Sequence, residues 1–121
     1  MHKILLVEDN DVFRKVFLES LLQRFPDYLY EEVKDGNDVF RKVSEFYPDI
    51  IFMDINLPNK NGLELTYEIK KENPGILIII VSNYDFPEYR MKAEEIGADY
   101  FLSKSSITED NIAQLIDNIA V

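Results

Sequence analysis

Three stretches of the chain are apolar without interruption: Ile4 to Val7, Ile50 to Met53 and Ile76 to Val81. Apolar runs that fail to alternate fit strands covered on both faces, as in a parallel sheet flanked by helices. Two other candidates, Tyr28 to Val33 (YLYEEV) and Asp99 to Ser103 (DYFLS), are interrupted by acids and hydroxyls, which suits the sheet edges. Between these runs the apolar spacing becomes helical. Phe13, Val16, Phe17 and Leu21 predict a first helix that stops before Pro26, and Val39, Phe40, Val43 and Phe46 a second that stops before Pro48. Leu65, Thr66 and Ile69 define a third, ended by Asn73, Pro74 and Gly75, and Tyr89, Ala93 and Ile96 a fourth, closed by Gly97 as a C-cap. Ile112, Leu115, Ile116 and Ile119 define the fifth, with Thr108 as N-cap and Glu109 and Asp110 complementing the helix dipole.

Five strands alternating with five helices over short connections require right-handed crossovers and a doubly wound parallel sheet. With the polar second and fifth strands at the edges, the order is 2-1-3-4-5. This is an α/β fold of the flavodoxin-like arrangement, whose ligand site lies outside the carboxyl ends of the strands. The heptapeptide NDVFRKV occurs twice, at Asn10 to Val16 and Asn37 to Val43, each time opening a predicted helix. A third copy is absent, so there is no solenoid, and the repeat carries no assigned function.

Composition narrows the picture. The 121 residues fit one domain, expected to span 1–121, and 46% hydrophobic with 30% charged residues excludes a disordered chain. Without cysteine there is no disulfide framework, thiolate metal site or thiol nucleophile, and a reducing, cytoplasmic location is expected. The first apolar run is too short for a signal peptide or a membrane span. Thirteen basic against 23 acidic residues, a net charge of -10, argue against direct nucleic-acid binding. The one histidine, His2, stands at the terminus, which excludes histidine triads and histidine-rich metal sites.

The chemistry gathers where strands end. The first strand runs into Glu8 and Asp9, the third into Asp54, the fourth into Ser82 and Asn83, and the fifth into Lys104. In a parallel sheet these ends lie side by side. Three carboxylates so close repel by several kcal/mol unless neutralised, and a hard divalent cation such as Mg²⁺ takes such oxygens readily. Lys104 and Ser82 are the residue types wanted for holding a phosphoryl group, and a carboxylate can attack phosphorus to give an acyl phosphate. Alone, each residue has a plainer reading: Glu8 and Asp9 as helix caps, Asp54 as a loop acid, Lys104 as a surface lysine. Together they read as nucleophile, metal site and phosphoryl clamp.

The motifs LLVEDN at 5–10, DIIFMDINLPNKNGLEL at 49–65, IIIVSN at 78–83 and GADYFLSK at 97–104 closely resemble those of the receiver domain of two-component response regulators, from Lys3 to about Ile119. The resemblance implies that Asp54 is the phosphoacceptor and that Glu8 and Asp9 bind Mg²⁺. It assigns the metal a further ligand in the backbone carbonyl of Asn56, and it makes Ser82 the hydroxyl that follows the phosphoryl group, Lys104 the conserved-type lysine and Phe101 the switch aromatic. It also implies a sensor histidine kinase acting in trans, a downstream effector or output domain, and a possible homodimer through the face of the fourth helix, fifth strand and fifth helix.

Three positions depart from the family pattern. Glu8 replaces the commoner Asp, Ser82 stands where Thr is frequent, and Ser105 follows Lys104 in place of proline. Without proline a cis bond there costs about 3 to 4 kcal/mol, so a trans peptide is expected. Lys104, Ser105 and Ser106 resemble receivers joined to helix-turn-helix domains, which implies the receiver part of a DNA-binding transcription regulator, with no output domain expected within residues 1–121. The expected role is a switch and not a turnover enzyme. A phosphatase of the haloacid dehalogenase type needs a second acid two residues after the nucleophile, where Asn56 stands. A phosphorylation-independent interaction module is the third reading. Tyr84, Phe86 and Tyr89 form an aromatic cluster beyond the fourth strand, serving as lid, partner contact or local packing.

Overall fold

In the computed structural model, which describes residues 2–119, the three apolar runs become neighbouring central strands. The elements in chain order are β1 (Lys3–Val7), α1 (Asp11–Arg24), β2 (Leu29–Val33), a 3-10 turn (Gly36–Asp38), α2 (Val39–Phe46), β3 (Ile50–Met53), α3 (Gly62–Glu72), β4 (Leu77–Ser82), α4 (Pro87–Glu95), β5 (Tyr100–Ser103), a second 3-10 turn (Lys104–Ser106) and α5 (Glu109–Ile119). The five strands are parallel in the order β2-β1-β3-β4-β5. This is the expected flavodoxin-like arrangement, with strand boundaries shifted by a residue. The expected domain limits at residues 1 and 121 lie outside the described residues.

Burial explains why the central strands do not alternate. Leu5, Val7, Ile51, Met53, Ile78 and Ile80 point into a core closed by α2, α3 and α4, where Val39, Val43, Leu65, Ile69 and Ala93 meet them. Their neighbours Ile4, Leu6, Ile50, Phe52, Ile79 and Val81 point the other way, onto Phe17 and Leu21 of α1 and Ile112 and Ile116 of α5. Because successive side chains face opposite layers, both must be apolar. Each such buried aliphatic contributes roughly 1.5 to 3 kcal/mol.

Helix ends follow local chemistry. The Asn10 side chain accepts from the Phe13 N–H at 3.0 Å to start α1. Thr108 and Asn111 cap α5 reciprocally, the Thr108 hydroxyl accepting from the Asn111 N–H at 3.1 Å and the Asn111 side chain from the Thr108 N–H at 2.9 Å. Gly97, at φ +101°, closes α4 in the left-handed conformation that its lack of a Cβ permits.

The repeated heptapeptide takes two opposite orientations. In α1, Val12 is 75% and Val16 57% exposed while Arg14 is buried; in the second copy Val39 and Val43 are buried and Arg41 faces solvent. The expected inward position of Val16 is therefore corrected. In the first copy Asn10 caps the helix directly. In the second, Asp35 caps a 3-10 turn through the Asn37 N–H at 2.8 Å, and α2 starts only at Val39. The different entry rotates the same residues about the helix axis. Tyr89 likewise does not face the core as expected: it is exposed, and within α4 only Ala93 is buried. Accordingly, Val39→Ala is expected to cost roughly 2 kcal/mol and Val12→Ala less than about 0.5, measured by urea unfolding. Equal losses at the two sites would sink this account of the repeat.

Among the described residues, no helix is long and apolar enough to cross a membrane.

Candidate functional site

Strand register builds the site. Val7 lies opposite Met53, so Glu8 and Asp54, the next residue of each strand, leave the sheet side by side. The Glu8 N–H donates to the Val33 carbonyl at 3.0 Å and the Asp54 N–H to the Val7 carbonyl at 3.0 Å, extending the ladder past the last strand residues. Glu8 and Asp54 are buried and Asp9 is exposed, and ligand oxygens of the three lie within 4.8 Å of one another.

Lys104 is delivered by the turn after β5. Its ammonium lies 2.5 Å from Glu8 Oε1 and 3.6 Å from Asp54 Oδ2, and 4.5 Å from the ring centre of Phe13. The second Glu8 oxygen accepts from the Asn10 N–H at 3.0 Å. One cation thus faces two buried carboxylates with a third close by. Burial first, then the charge of Glu8, pushes the Asp54 carboxyl up to about 7, with Lys104 and the Asn56 backbone N–H pulling the other way. A carboxylate so placed attracts cationic charge, and three hard oxygens within this span suit a small octahedral ion whose opposite ligands stand about 4 Å apart.

Ser82 is fully buried at the end of β4, and its Oγ accepts from the Tyr84 N–H at 3.0 Å, which leaves its own hydrogen free to donate. Asn56 lies at the mouth, bridged to Asn61, and with Asp9 it lines an open depression formed by residues 55–61. Glu8, Asp9, Asp54 and Lys104 are therefore brought together, with Ser82 and Asn56 on their borders. Phe101 is set apart from them. It is half-buried on β5, paired in register with Ile80, and the Arg90 guanidinium lies 4.7 Å from its ring centre. Arg90 in turn pairs with Asp85. Tyr84, Phe86 and Tyr89 do cluster, with ring centres 5.7 and 6.2 Å apart, and all are exposed.

The Lys104-Ser105 peptide is trans, as expected from the missing proline. Serines organise that loop: Ser103 and Ser105 hydroxyls lie 2.9 Å apart, and the Ser106 hydroxyl donates to the Ser103 carbonyl at 3.3 Å.

Two residues matter here that the sequence does not single out. A Cβ on Gly62 would stand 1.9 Å from the Asp54 carbonyl oxygen, so only glycine lets α3 start this close to the strand end. The buried Arg14 donates to the Glu8 carbonyl at 2.8 Å, to Asp11 at 2.6 Å and to Glu32 at 2.9 Å. Glycine after a loop is a legible hint of close approach, but arginine is usually a surface residue, and nothing in its neighbours marks this one as buried.

A family model described as response regulator receiver domain matches residues 4–117. The chemotaxis protein CheY of Halobacterium salinarum is 32% identical over 102 residues, covering 84% of this chain and 83% of that protein. Response regulator protein VraR of Staphylococcus saprophyticus is 30% identical over 115 residues, covering 94% of this chain; the chain spans only 54% of its length. The crystal structure of the Mn²⁺-bound form of response regulator Rcp1 superposes with a TM-score of 0.82 at 25% identity, over 98% of this chain and 93% of that one.

Proposed function

The chain belongs to the receiver domains of two-component response regulators, and from that premise we propose that it is a phosphorylation-controlled switch in which Asp54 accepts a phosphoryl group from a sensor histidine kinase in trans. The observation that carries this reading is Lys104 seated between Glu8 and Asp54, with Ser82 at the end of the adjacent strand. An Asp54 oxygen forms the new bond to phosphorus as the donor's bond to phosphorus breaks. Lys104 offsets charge on the transferring oxygens, and Ser82 donates its free hydroxyl hydrogen to one of them. Glu8, Asp9, Asp54 and the Asn56 carbonyl would hold Mg²⁺, which supplies charge neutralisation when bound. The clustered carboxylates support this, as does the Mn²⁺-bound form of the similar regulator Rcp1.

A route outward follows from one hydrogen bond. Ser82 Oγ holds the Tyr84 N–H, so a Ser82 that turns toward a phosphoryl oxygen draws on the loop leading to α4. That helix has a single buried residue, Ala93, the fewest of the five α-helices, which leaves it the freest of them to move. In this reading Phe101 swings inward and the face of α4, β5 and α5 selects an effector, an output domain or a second copy. The setting is cytoplasmic, where the kinase's phosphorylating domain resides. The domain is a phosphoacceptor and not a turnover enzyme.

The test is incubation with acetyl phosphate with and without Mg²⁺, followed by intact mass and peptide mapping. One phosphoryl group, gained only with Mg²⁺ and located on Asp54, is expected. No gain, or a gain on a peptide lacking Asp54, rejects the reading.

A further inference from the structure

Resting on that reading, we propose that Arg14 is a positioning residue of the metal site: it fixes the peptide that launches Asp9, and acts through geometry and not through its charge. The Glu8 carbonyl that accepts from Arg14 Nη1 at 2.8 Å belongs to the peptide joining Glu8 to Asp9. The same residue's N–H is held by Val33 at 3.0 Å. Glu8 is thus tied on its N-terminal side to β2 and on its C-terminal side to α1. Among the described residues, no hydrogen bond holds the Asp9 side chain, so its direction depends on the backbone that carries it.

The guanidinium is itself held on two further sides, by Asp11 at 2.6 Å and Glu32 at 2.9 Å, which a planar fork can serve together with the carbonyl. These partners come from α1 and β2, so Arg14 ties three segments around the acidic loop. Two carboxylates more than balance its charge, and Lys34 at 3.0 Å from Asp11 completes the neutral group. The same position of the second heptapeptide copy, Arg41, faces solvent with only Asp38 at 3.4 Å and Glu45 at 3.6 Å. Burial of Arg14 is a property of its place beside the site and not of the local sequence.

Charge and geometry predict opposite signs. Removing the cation leaves Asp11 and Glu32 to raise the negative potential, which would tighten Mg²⁺ binding if field were the role. Loss of positioning would weaken it, typically tenfold or more for residues that orient metal ligands. The experiment is calorimetric Mg²⁺ titration of the wild type, Arg14→Met and Arg14→Lys at pH 8, with amide NMR shifts of Asp9 and Asn10 and thermal melts to establish folding. Expected are an Mg²⁺ Kd weakened about tenfold in Arg14→Met and several-fold in Arg14→Lys, with Asp9 and Asn10 amides displaced in the metal-free state. Arg14→Lys keeps the cation but not the fork, and it alone decides the matter if the Met variant does not fold. Folded variants with a wild-type or tighter Kd overturn the proposal, even if their melting temperature falls. Absence of Mg²⁺ binding by the wild type instead overturns the proposed function.

Discussion

Asp54→Asn is expected to abolish phosphoryl uptake while making the metal-free protein more stable at pH 8 by about 2 kcal/mol. The loss of uptake follows from removing the attacking oxygen. The gain in stability follows from the position of the Asp54 carboxyl, pushed up to about 7 in the fold from an ordinary 3.8 chiefly by burial. Between those values the unfolded chain has released its proton and the folded one has not, so folding binds a proton and stability falls as pH rises. The full shift corresponds to roughly 4 kcal/mol, and water at the mouth of the crevice screens it to about half. An amide carries no such cost. The advantage of Asp54→Asn is therefore expected to be absent below pH 4, to grow between pH 4 and 7 and to level off above. Saturating Mg²⁺ should reverse the ranking, because the ion stabilises the protein that binds it better. Urea unfolding of both proteins from pH 4 to 8 measures this, and a stability difference independent of pH would contradict the origin given.

The parts of this molecule legible in sequence are those where one physical demand acts alone. Ile4 to Val7, Ile50 to Met53 and Ile76 to Val81 could be read as central strands because two-sided burial leaves no polar position among them. Glu8, Asp54, Ser82 and Lys104 could be placed together because parallel strands align their carboxyl ends, whatever the rest of the chain does. Helix phase was not legible in this way. NDVFRKV satisfies an inward face at Val39 and Val43 and an outward one at Val12 and Val16, and the choice is made by whether Asn10 caps directly or Asp35 caps a preceding turn.

Arg14 escapes a sequence reading for a related reason. Its burial is set by the rotation of α1 and by acceptors on other segments, the Glu8 carbonyl just past β1 and the Glu32 carboxylate on β2. The raised carboxyl of Asp54 is likewise a property of depth and neighbours, which residue types alone do not give. Tyr89 shares helical apolar spacing with Ala93 and Ile96 without an apolar environment, so pattern suggested a core face where the structure has an exposed ring packed on Tyr84 and Phe86.

Lys104→Met is expected to separate metal binding from phosphoryl transfer. The ammonium is the one cation within salt-bridge distance of Glu8 or Asp54 among the described residues, at 2.5 and 3.6 Å. A divalent ion entering the cluster competes with it for those carboxylates, so the Met variant should bind Mg²⁺ as tightly as wild type or more tightly. Phosphoryl uptake from acetyl phosphate should nevertheless fall about a hundredfold at saturating Mg²⁺, because a preorganised charge at the transferring oxygens is lost. Stability should fall too. Two buried carboxylates left without their cation cost about 3 kcal/mol at pH 8 in the absence of metal, and the loss should shrink in acid, where a protonated Asp54 no longer needs the ammonium. A variant whose uptake stays within a few-fold of wild type would show that Lys104 serves the fold alone. Weaker Mg²⁺ binding would show instead that the lysine arranges the carboxylates for the metal and does not compete with it. The combination of retained metal, lost transfer and a pH-dependent stability deficit is what the placement of one ammonium between Glu8 and Asp54 requires.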